Sequence, residues 1–338
     1  MEILSETLLH CRRSYCVEKL PLPRMGNEDV MERVDCQLCR SEEADLVFHE
    51  RDRLHGIDGL FSLMQCRRCG LLYLNPRPTR EEMVRHYPRD YLGYSTLHHR
   101  RSFLMRLDCW YGMRRRARAV LERTDSKGGK VLDIGCSTGE GLDAMRRLGD
   151  WEPYGVEINN AAAGYARDNL GLDVFPGTLL EAHYPDAFFD MVTMWNVLEH
   201  LHRPQDTLTE IARIVRPGGV LVISIPDPDC VEARILGRYW AGWDAPRHLT
   251  LYSRHTVSRA LDLAGFDVFD TISFTGHHTV LALSLGFFLE EKLGKGRSTS
   301  CLKRAISSLP ARLMTVPFYK MLDYWNKASV MTVLARRR

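Results

Sequence analysis

Residues 131–141 read Val-Leu-Asp-Ile-Gly-Cys-Ser-Thr-Gly-Glu-Gly, an apolar run that leads directly into a glycine-rich turn. The residues after the turn, 142–148, carry apolar side chains at helical spacing. A strand that ends in such a turn and opens a helix can form a ligand site from its backbone. Glycine lets a ligand approach closely, and the first N–H groups of a helix lack partners. The stretch therefore predicts a strand–turn–helix unit with a ligand at the turn.

The spacing of the glycines distinguishes between ligands. A dinucleotide fingerprint reads G-x-G-x-x-G, whereas three residues separate Gly135 from Gly139 and no P-loop lysine follows. Asp133, just before the turn, would repel phosphates and suits a ligand with an ammonium group. Glu157 ends the next apolar segment, where an acidic side chain can accept hydrogen bonds from ribose hydroxyls.

Four motifs, taken in order, resemble those of the class I S-adenosylmethionine-dependent methyltransferases. Residues 133–139 are similar to their motif I, and Glu157 matches their ribose-binding acidic residue. Residues 189–201 resemble the fourth strand with the helix that follows it. Residues 216–224 resemble the Pro-Gly-Gly turn into the fifth strand. The resemblance covers about residues 126–270.

This resemblance implies an α/β fold with a Rossmann-like seven-stranded methyltransferase sheet and an enzyme that uses S-adenosyl-L-methionine. It also implies that residues 265–269 form a late strand of the antiparallel hairpin that ends such sheets. The residues that it assigns to the cofactor are Asp133, Gly135, Cys136, Gly139, Glu157 and Asn196.

Four cysteines form two short pairs near the start of the chain, Cys36-x-x-Cys39 and Cys66-x-x-Cys69. Two thiolates on one tight turn can bind adjacent corners of a tetrahedron, so two such turns predict a Cys₄ zinc site. A site with four protein ligands has no open position, which indicates a structural role in a zinc ribbon. The alternative is a set of unrelated reduced cysteines.

The segment after these cysteines extends the resemblance. Residues 69–79, followed by Tyr87 and Tyr91, are similar to the zinc-bearing N-terminal module of bacterial sugar C-methyltransferases. Those enzymes carry a longer C-terminal domain than the residues that follow this core. The resemblance therefore does not fix the acceptor.

The chain divides into five expected parts. They are a lead-in (1–30), a zinc-binding module with a lid (31–99), a linker helix (100–125), the S-adenosylmethionine-binding core (126–275) and a helical C-terminal extension (276–338).

Net charge and the distribution of apolar residues bear on the possible partners and the location of the protein. A net charge of +3 neither requires nor excludes nucleic acid. The first residues lack the basic region and apolar run of a secretory signal, so we expect a cytoplasmic protein. Residues 271–289 lack charged side chains but include several polar ones. We interpret them as a buried strand and helix rather than a membrane span, and peripheral membrane contact through the C-terminal helices stays open.

Three histidines are candidates for removing a proton from an acceptor hydroxyl, because imidazole titrates near neutral pH. His200 follows the expected fourth strand, where the carboxyl ends of parallel strands form a ligand crevice. His248 lies in the polar and aromatic cluster 243–249, and His202 is expected at the surface. Tyr94, with Tyr91, would close the acceptor pocket.

Each candidate also has a structural interpretation. His200 could pack over the cofactor, His248 could order its loop, and the tyrosines could pack within the lid. Glu199 either orients a histidine or caps a helix. The arginine run at residues 114–118 could contact phosphate or form a solvated helix face.

Three functions remain. The first is methyl transfer to a small molecule such as a sugar, a glycan precursor, a quinone or a secondary metabolite, at O or C. The second is an RNA methyltransferase whose zinc module holds nucleic acid. The low charge and the sequence Asn-Val-Leu after the fourth strand, in place of Asn/Asp-Pro-Pro-aromatic, disfavour it. The third is a scaffold without activity.

Overall fold

A computed structural model of the chain describes residues 30–87, 103–124, 126–273 and 277–338. The lid residues Tyr91 and Tyr94 lie outside this part of the chain. None of the helices within the described residues combines the length and the apolar character that a membrane crossing requires.

The N-terminal module consists of short antiparallel strands. These are β1 (Met31–Glu32), β2 (Ala44–Glu50), β3 (Phe61–Cys66), β4 (Leu72–Leu74) and β5 (Arg77–Pro78). Strand β1 pairs with β5, and β2, β3 and β4 form a meander. Helix α1 (Arg80–Met83) and a 3₁₀ turn (Val84–His86) follow, and helix α2 (Phe103–Thr124) leads into the core.

Strands and helices then alternate. The core begins with β6 (Gly128–Ile134), α3 (Glu140–Arg146), β7 (Asp150–Glu157), α4 (Asn160–Leu170), β8 (Asp173–Pro176), α5 (Leu179–Ala182), β9 (Phe189–Trp195), a 3₁₀ turn (Leu198–His200), α6 (Pro204–Ile214) and β10 (Val215–Pro226). These five strands are parallel to one another, and the central ones are continuously buried because helices cover both faces.

The second half of the core is less regular. It contains α7 (Val231–Leu236), 3₁₀ turns at Gly237–Tyr239 and Ala241–Trp243, β11 (Thr250–Leu251), α8 (Arg254–Leu263) and β12 (Phe266–Ile272). Three helices and a final strand follow: α9 (His277–Leu293), α10 (Arg297–Ile306), α11 (Leu309–Tyr324) and β13 (Val330–Arg337). The seven-stranded sheet has the order β12-β13-β10-β9-β6-β7-β8, which confirms the predicted α/β fold.

The end of the chain differs from the expected helical extension over 276–338. Helices α9 to α11 occupy residues 277–324, but β13 returns into the sheet between β10 and β12 and pairs antiparallel with both. The segment is apolar, and Val330 to Ala335 are buried because both neighbours are strands. The three helices are therefore an insertion between the last two strands of the sheet.

The module and the core share a small sheet and a buried ion pair. Strand β11 of the core pairs antiparallel with β4 of the module. The Arg247 guanidinium is fully buried and donates to both carboxylate oxygens of Asp52, at 2.8 and 2.9 Å. It also donates to Asp244 at 2.6 Å and to the His86 carbonyl oxygen at 3.1 Å. One cation thus joins two module segments to a core loop.

We expect Arg247→Ala to lower the free energy of unfolding by about 3–5 kcal/mol, because it leaves the buried Asp52 carboxylate without its cation. The matched control is Arg67→Ala, which removes a solvent-exposed pair with Asp45 (N–O distance 2.6 Å) and should change the free energy of unfolding far less. Urea unfolding of both variants measures the difference. Equal small losses would show that the buried pair does not join the two parts.

Candidate functional site

The glycine turn between β6 and α3 adopts a backbone that favours glycine. Gly135 has φ +74° and Gly139 has φ +79°. A Cβ atom on Gly135 would lie 2.6 Å from Val197 Cγ2, and one on Gly139 would lie 2.5 Å from Leu172 Cδ1. Ser137, between them, also has a positive φ of 50°. Both glycines are thus required by conformation and by close packing.

Two acidic side chains flank this turn from adjacent strands. Asp133, near the end of β6, accepts a hydrogen bond of 2.7 Å from the Thr193 hydroxyl. Glu157, at the end of β7, accepts from the amides of Ser137 (2.9 Å) and Asn159 (2.8 Å). Both carboxylates are nearly buried, and the backbone of the turn fixes the orientation of Glu157.

The electrostatics at Asp133 favour a positively charged ligand. Burial and the nearby Glu157 carboxylate raise the pKa of Asp133 to about 7, against the opposing hydrogen bond from Thr193 and the charge of Arg116. A cation beside Asp133 would stabilise the ionised carboxylate and lower its pKa. The buried acid is therefore suited to bind an ammonium or sulfonium group.

The other two predicted cofactor residues occupy different positions. Asn196 follows β9, has φ +54° and exposes its side chain. Its backbone N–H donates to the Ser224 carbonyl oxygen at 2.8 Å. Its neighbour Val197 contacts Gly135, so Asn196 lies beside the turn. Cys136, in contrast, is buried, and a Cβ on Gly155 would lie 2.6 Å from its sulfur. Only its backbone belongs to the turn.

Two predicted histidines meet at the same edge of the sheet. The imidazole rings of His200 and His248 lie edge to face with their centroids 4.7 Å apart. His200 Nδ1 lies 2.9 Å from the Tyr87 hydroxyl and 3.0 Å from the Arg247 carbonyl oxygen. His248 Nδ1 lies 2.8 Å from the Gly242 carbonyl oxygen. The module, through Tyr87, thus contacts the core crevice.

These contacts define which nitrogen can accept a proton. A carbonyl oxygen only accepts, so His248 Nδ1 carries its hydrogen and Nε2 keeps the lone pair in the neutral ring. The Arg247 carbonyl favours the same tautomer of His200. Burial, and then the neighbouring His248, lowers the pKa of His200 to about 3, and burial lowers that of His248 as well. Both imidazoles are neutral at pH 7.

Glu199 completes the cluster. It is fully buried, neither carboxylate oxygen has a hydrogen-bond partner within the described residues, and burial raises its pKa to about 8. Its Oε1 lies 4.0 Å from His248 Nε2. Potential ligand atoms of Glu199, His200 and His248 lie within 4.8 Å of one another, a set that a divalent transition metal accepts. Glu199 thus lies beside the imidazoles without a hydrogen bond to either, and its role as an orienting residue or a helix cap stays open.

The remaining candidates lie outside this cluster or outside the described residues. His202 Nε2 lies 3.0 Å from the Pro78 carbonyl oxygen, so it joins the core to the module and is half-buried, whereas the sequence predicts a surface position. The arginine run is divided among partners. Arg114 stacks on Trp110 and Arg116 on Trp195, while Arg115 lies near Asp323. Tyr94 lies outside the described residues.

The four cysteine sulfurs lie together. Cys36 Sγ is 3.4 Å from Cys69 Sγ, Cys39 Sγ is 3.5 Å from Cys66 Sγ, and all four lie within 4.8 Å. A tetrahedral zinc ion with Zn–S bonds of about 2.3 Å places its sulfurs about 3.8 Å apart, so the group fits the ion. Burial raises the pKa of Cys36 and raises that of Cys69 to about 11, whereas hydrogen bonds lower the pKa of Cys66 to about 7 against the opposing effect of its burial. A bound zinc ion would itself favour the thiolate form of its ligands.

Sequence reasoning missed the residues that organise the crevice. Tyr87 appears only as part of the module resemblance, Arg247 receives no role, and Asp52 is not singled out. Asp52 and Arg247 lie far apart in the chain, and no local pattern connects them. The polar cluster 243–249 was the only available signal.

Similarities to known proteins agree with this geometry. Residues 98–271 match the family described as "Methyltransferase domain". The O-methyltransferase cnsE of Penicillium expansum is 28% identical over 154 residues, covering 43% of this chain and 54% of that protein. The ubiquinone biosynthesis O-methyltransferase of Azoarcus sp. (strain BH72) is 38% identical over 104 residues, covering 29% and 44%. The 27-O-demethylrifamycin SV methyltransferase of Amycolatopsis mediterranei is 32% identical over 117 residues, covering 31% and 43%.

This chain spans about half the length of these curated relatives. Among solved structures, the S-adenosylmethionine dependent methyltransferase from Mesorhizobium loti aligns at 18% identity with a TM-score of 0.44, covering 66% of this chain and 96% of that one. The family match extends over more than half of the chain. The chain belongs to this methyltransferase domain family.

Proposed function

We propose that the protein transfers a methyl group from S-adenosylmethionine to a hydroxyl of a small-molecule acceptor. The observation that carries the proposal is the pair of neutral imidazoles at the sheet edge that also holds the glycine turn. Several relatives are named as O-methyltransferases of quinone or secondary-metabolite biosynthesis, which supports a small acceptor. Transfer to carbon is the other outcome that a product analysis would reveal.

The cofactor would bind through Asp133, Gly135, Gly139 and Glu157, with the Cys136 backbone and Asn196 along the turn. Bound S-adenosylmethionine supplies an electrophilic methyl on a positively charged sulfur. Asp133 would lie near the ammonium group, and Glu157 has carboxylate lone pairs for ribose hydroxyls beside its two amide contacts. The loop amides and the start of α3 would contribute further donors.

The acceptor would lie in the crevice at His200 and His248, with Tyr94 and its neighbours as a cover. The residues must hold the acceptor oxygen about 3 Å from the methyl carbon and in line with the bond to sulfur. His200 Nε2 would take the hydroxyl proton while its Nδ1–H remains bonded to the Arg247 carbonyl. As the new O–C bond forms, the electron pair of the old C–S bond stays on sulfur. His248 is the second candidate for the base.

A Cys₄ zinc ion would stabilise the module that presents Tyr87. The residue after each cysteine pair, Arg40 or Gly70, has a positive φ, so both turns have the same backbone shape. Such ions contribute folding energy that a segment of this size lacks from its own core.

An RNA substrate is the second function to test. Within the described residues, Arg114, Arg115 and Arg116 of the run lie near Trp110, Asp323 and Trp195, and Arg118 is exposed. The methyl-transfer assay therefore tests ribosomal RNA as an acceptor beside small phenols, catechols and sugars.

We expect Asp133→Ala and Glu157→Ala each to weaken S-adenosylmethionine binding by roughly ten- to hundredfold, the effect of losing one charge-assisted contact. Isothermal titration calorimetry measures the affinity, and circular dichroism checks the fold. Asp150→Ala is the matched control, since Asp150 is exposed at the other end of β7. Unchanged affinity in the double variant would remove both residues from the cofactor site.

We expect His200→Ala to lower turnover by roughly a hundredfold or more without changing cofactor affinity, because it removes the base. Transfer of a radiolabelled methyl group to whichever of these acceptors the unmodified protein methylates measures kcat. The same assay with an added chelator detects a contribution from a metal ion. The exposed His255 provides the control His255→Ala.

The pH profile of kcat tests whether His200 is the base. With the pKa of His200 at about 3, its base form is complete above pH 5, and kcat should stay level from pH 5 to 8. A fall of kcat within this range would show that the base is a group with a pKa higher than that of His200. Full turnover in both histidine variants would contradict base catalysis by histidine.

We expect about one zinc ion per chain by elemental analysis and its loss in Cys36→Ser, because three thiolates leave the tetrahedral site incomplete. Cys301→Ser is the control, as that cysteine is exposed and outside the cluster. A metal-free protein with a fully folded N-terminal module would contradict the zinc site.

A further inference from the structure

The helical insertion exposes a long apolar face that no other part of the described residues covers. Helix α11 and the residue after it expose eight large apolar side chains: Leu309, Leu313, Met314, Val316, Phe318, Met321, Tyr324 and Trp325. The exposed fraction is 82% for Met314 and 86% for Tyr324. Only Tyr319 and Leu322 of this helix are buried against the protein. An exposed apolar face of this extent marks an interaction surface.

The charged residues in and around α10 and α11 are almost all basic. Between residues 292 and 327 the sequence has one acidic residue, Asp323, and the basic residues Lys292, Lys295, Arg297, Lys303, Arg304, Arg312, Lys320 and Lys327. Asp323 is partly buried, and Arg115 approaches it to 3.8 Å. Helices α10 and α11 therefore present apolar side chains among cations, while Glu290 and Glu291 near the end of α9 are the nearest acidic residues before them in the chain, and Glu290 pairs with Lys303. Anionic lipid headgroups are complementary to this combination.

The insertion is also coupled to the acceptor crevice. The Ser284 hydroxyl of α9 accepts a hydrogen bond of 2.8 Å from the Ala241 amide, in the 3₁₀ turn at Ala241–Trp243. The Gly242 carbonyl oxygen of that turn is the hydrogen-bond partner of His248. The helices that carry the apolar face thus brace the loop that positions one catalytic candidate.

We propose that α10 and α11 dock the protein on an anionic phospholipid bilayer, with α11 lying in the plane of the interface. Helix α11 has 16 residues and carries Arg312 and Lys320, which fits an interfacial helix. Tyr324 and Trp325 at its end are the side chains that settle at the headgroup level. Arg304 of α10 adds a further positive charge. This docking surface stands apart from the methyl-transfer chemistry and does not depend on it.

The experiment is sedimentation of the full chain with 100 nm vesicles of phosphatidylcholine alone or mixed equally with phosphatidylglycerol. We expect binding to the anionic vesicles to be at least tenfold tighter and to weaken as salt is raised. Met314→Gln with Met321→Gln should lower that affinity about tenfold or more. Arg304→Gln with Lys320→Gln should lower it roughly fivefold for each charge removed.

The matched control is Leu263→Gln with Leu46→Gln, which removes two exposed leucines outside the insertion. Thermal melts confirm that every variant is folded. Equal binding to both vesicle types, equal loss in the control, or binding that survives Met314→Gln with Met321→Gln would overturn the proposal. A further contrary outcome is that the protein does not bind vesicles and that sedimentation velocity shows a dimer which Met314→Gln with Met321→Gln dissociates. A second copy of the chain would then occupy the apolar face.

Discussion

The buried guanidinium of Arg247 sets the geometry of the whole crevice. A cation removed from water is tolerated only where several acceptors surround it, and here Asp52, Asp244 and the His86 carbonyl do so. Asp52 and His86 belong to the N-terminal module, whereas Asp244 lies in a core loop. The pairing therefore brings the module against the sheet edge as a consequence of charge desolvation.

The same residue acts through its backbone. The Arg247 carbonyl lies 3.0 Å from His200 Nδ1, and the next residue along the chain is His248. His86, held by the guanidinium, precedes Tyr87, whose hydroxyl reaches the same nitrogen of His200. Side chain and backbone of one arginine thus position three aromatic side chains from three segments. The module is consequently part of the crevice as well as a neighbouring fold unit.

The features that the sequence predicted correctly are local. The strand, the glycine turn and the two acidic strand tips follow from residues close together in the chain, and the cysteine knuckles depend on a fixed short spacing. Strand β13 was missed because a short apolar segment has no diagnostic period, and pairing with β10 and β12 decides its conformation. The Asp52–Arg247 pair was also beyond reach, because nothing near either residue indicates its distant partner.

The protonation states of the buried acids and imidazoles in the unliganded site determine how it responds to a cationic ligand. Glu199, with a pKa of about 8, remains protonated at pH 7, both imidazoles are neutral, and Asp133 is near its midpoint. The crevice therefore holds little net charge while its groups are buried. A cationic ligand beside Asp133 would shift that carboxyl to its ionised form and release a proton, so ligand affinity should rise with pH through this pKa.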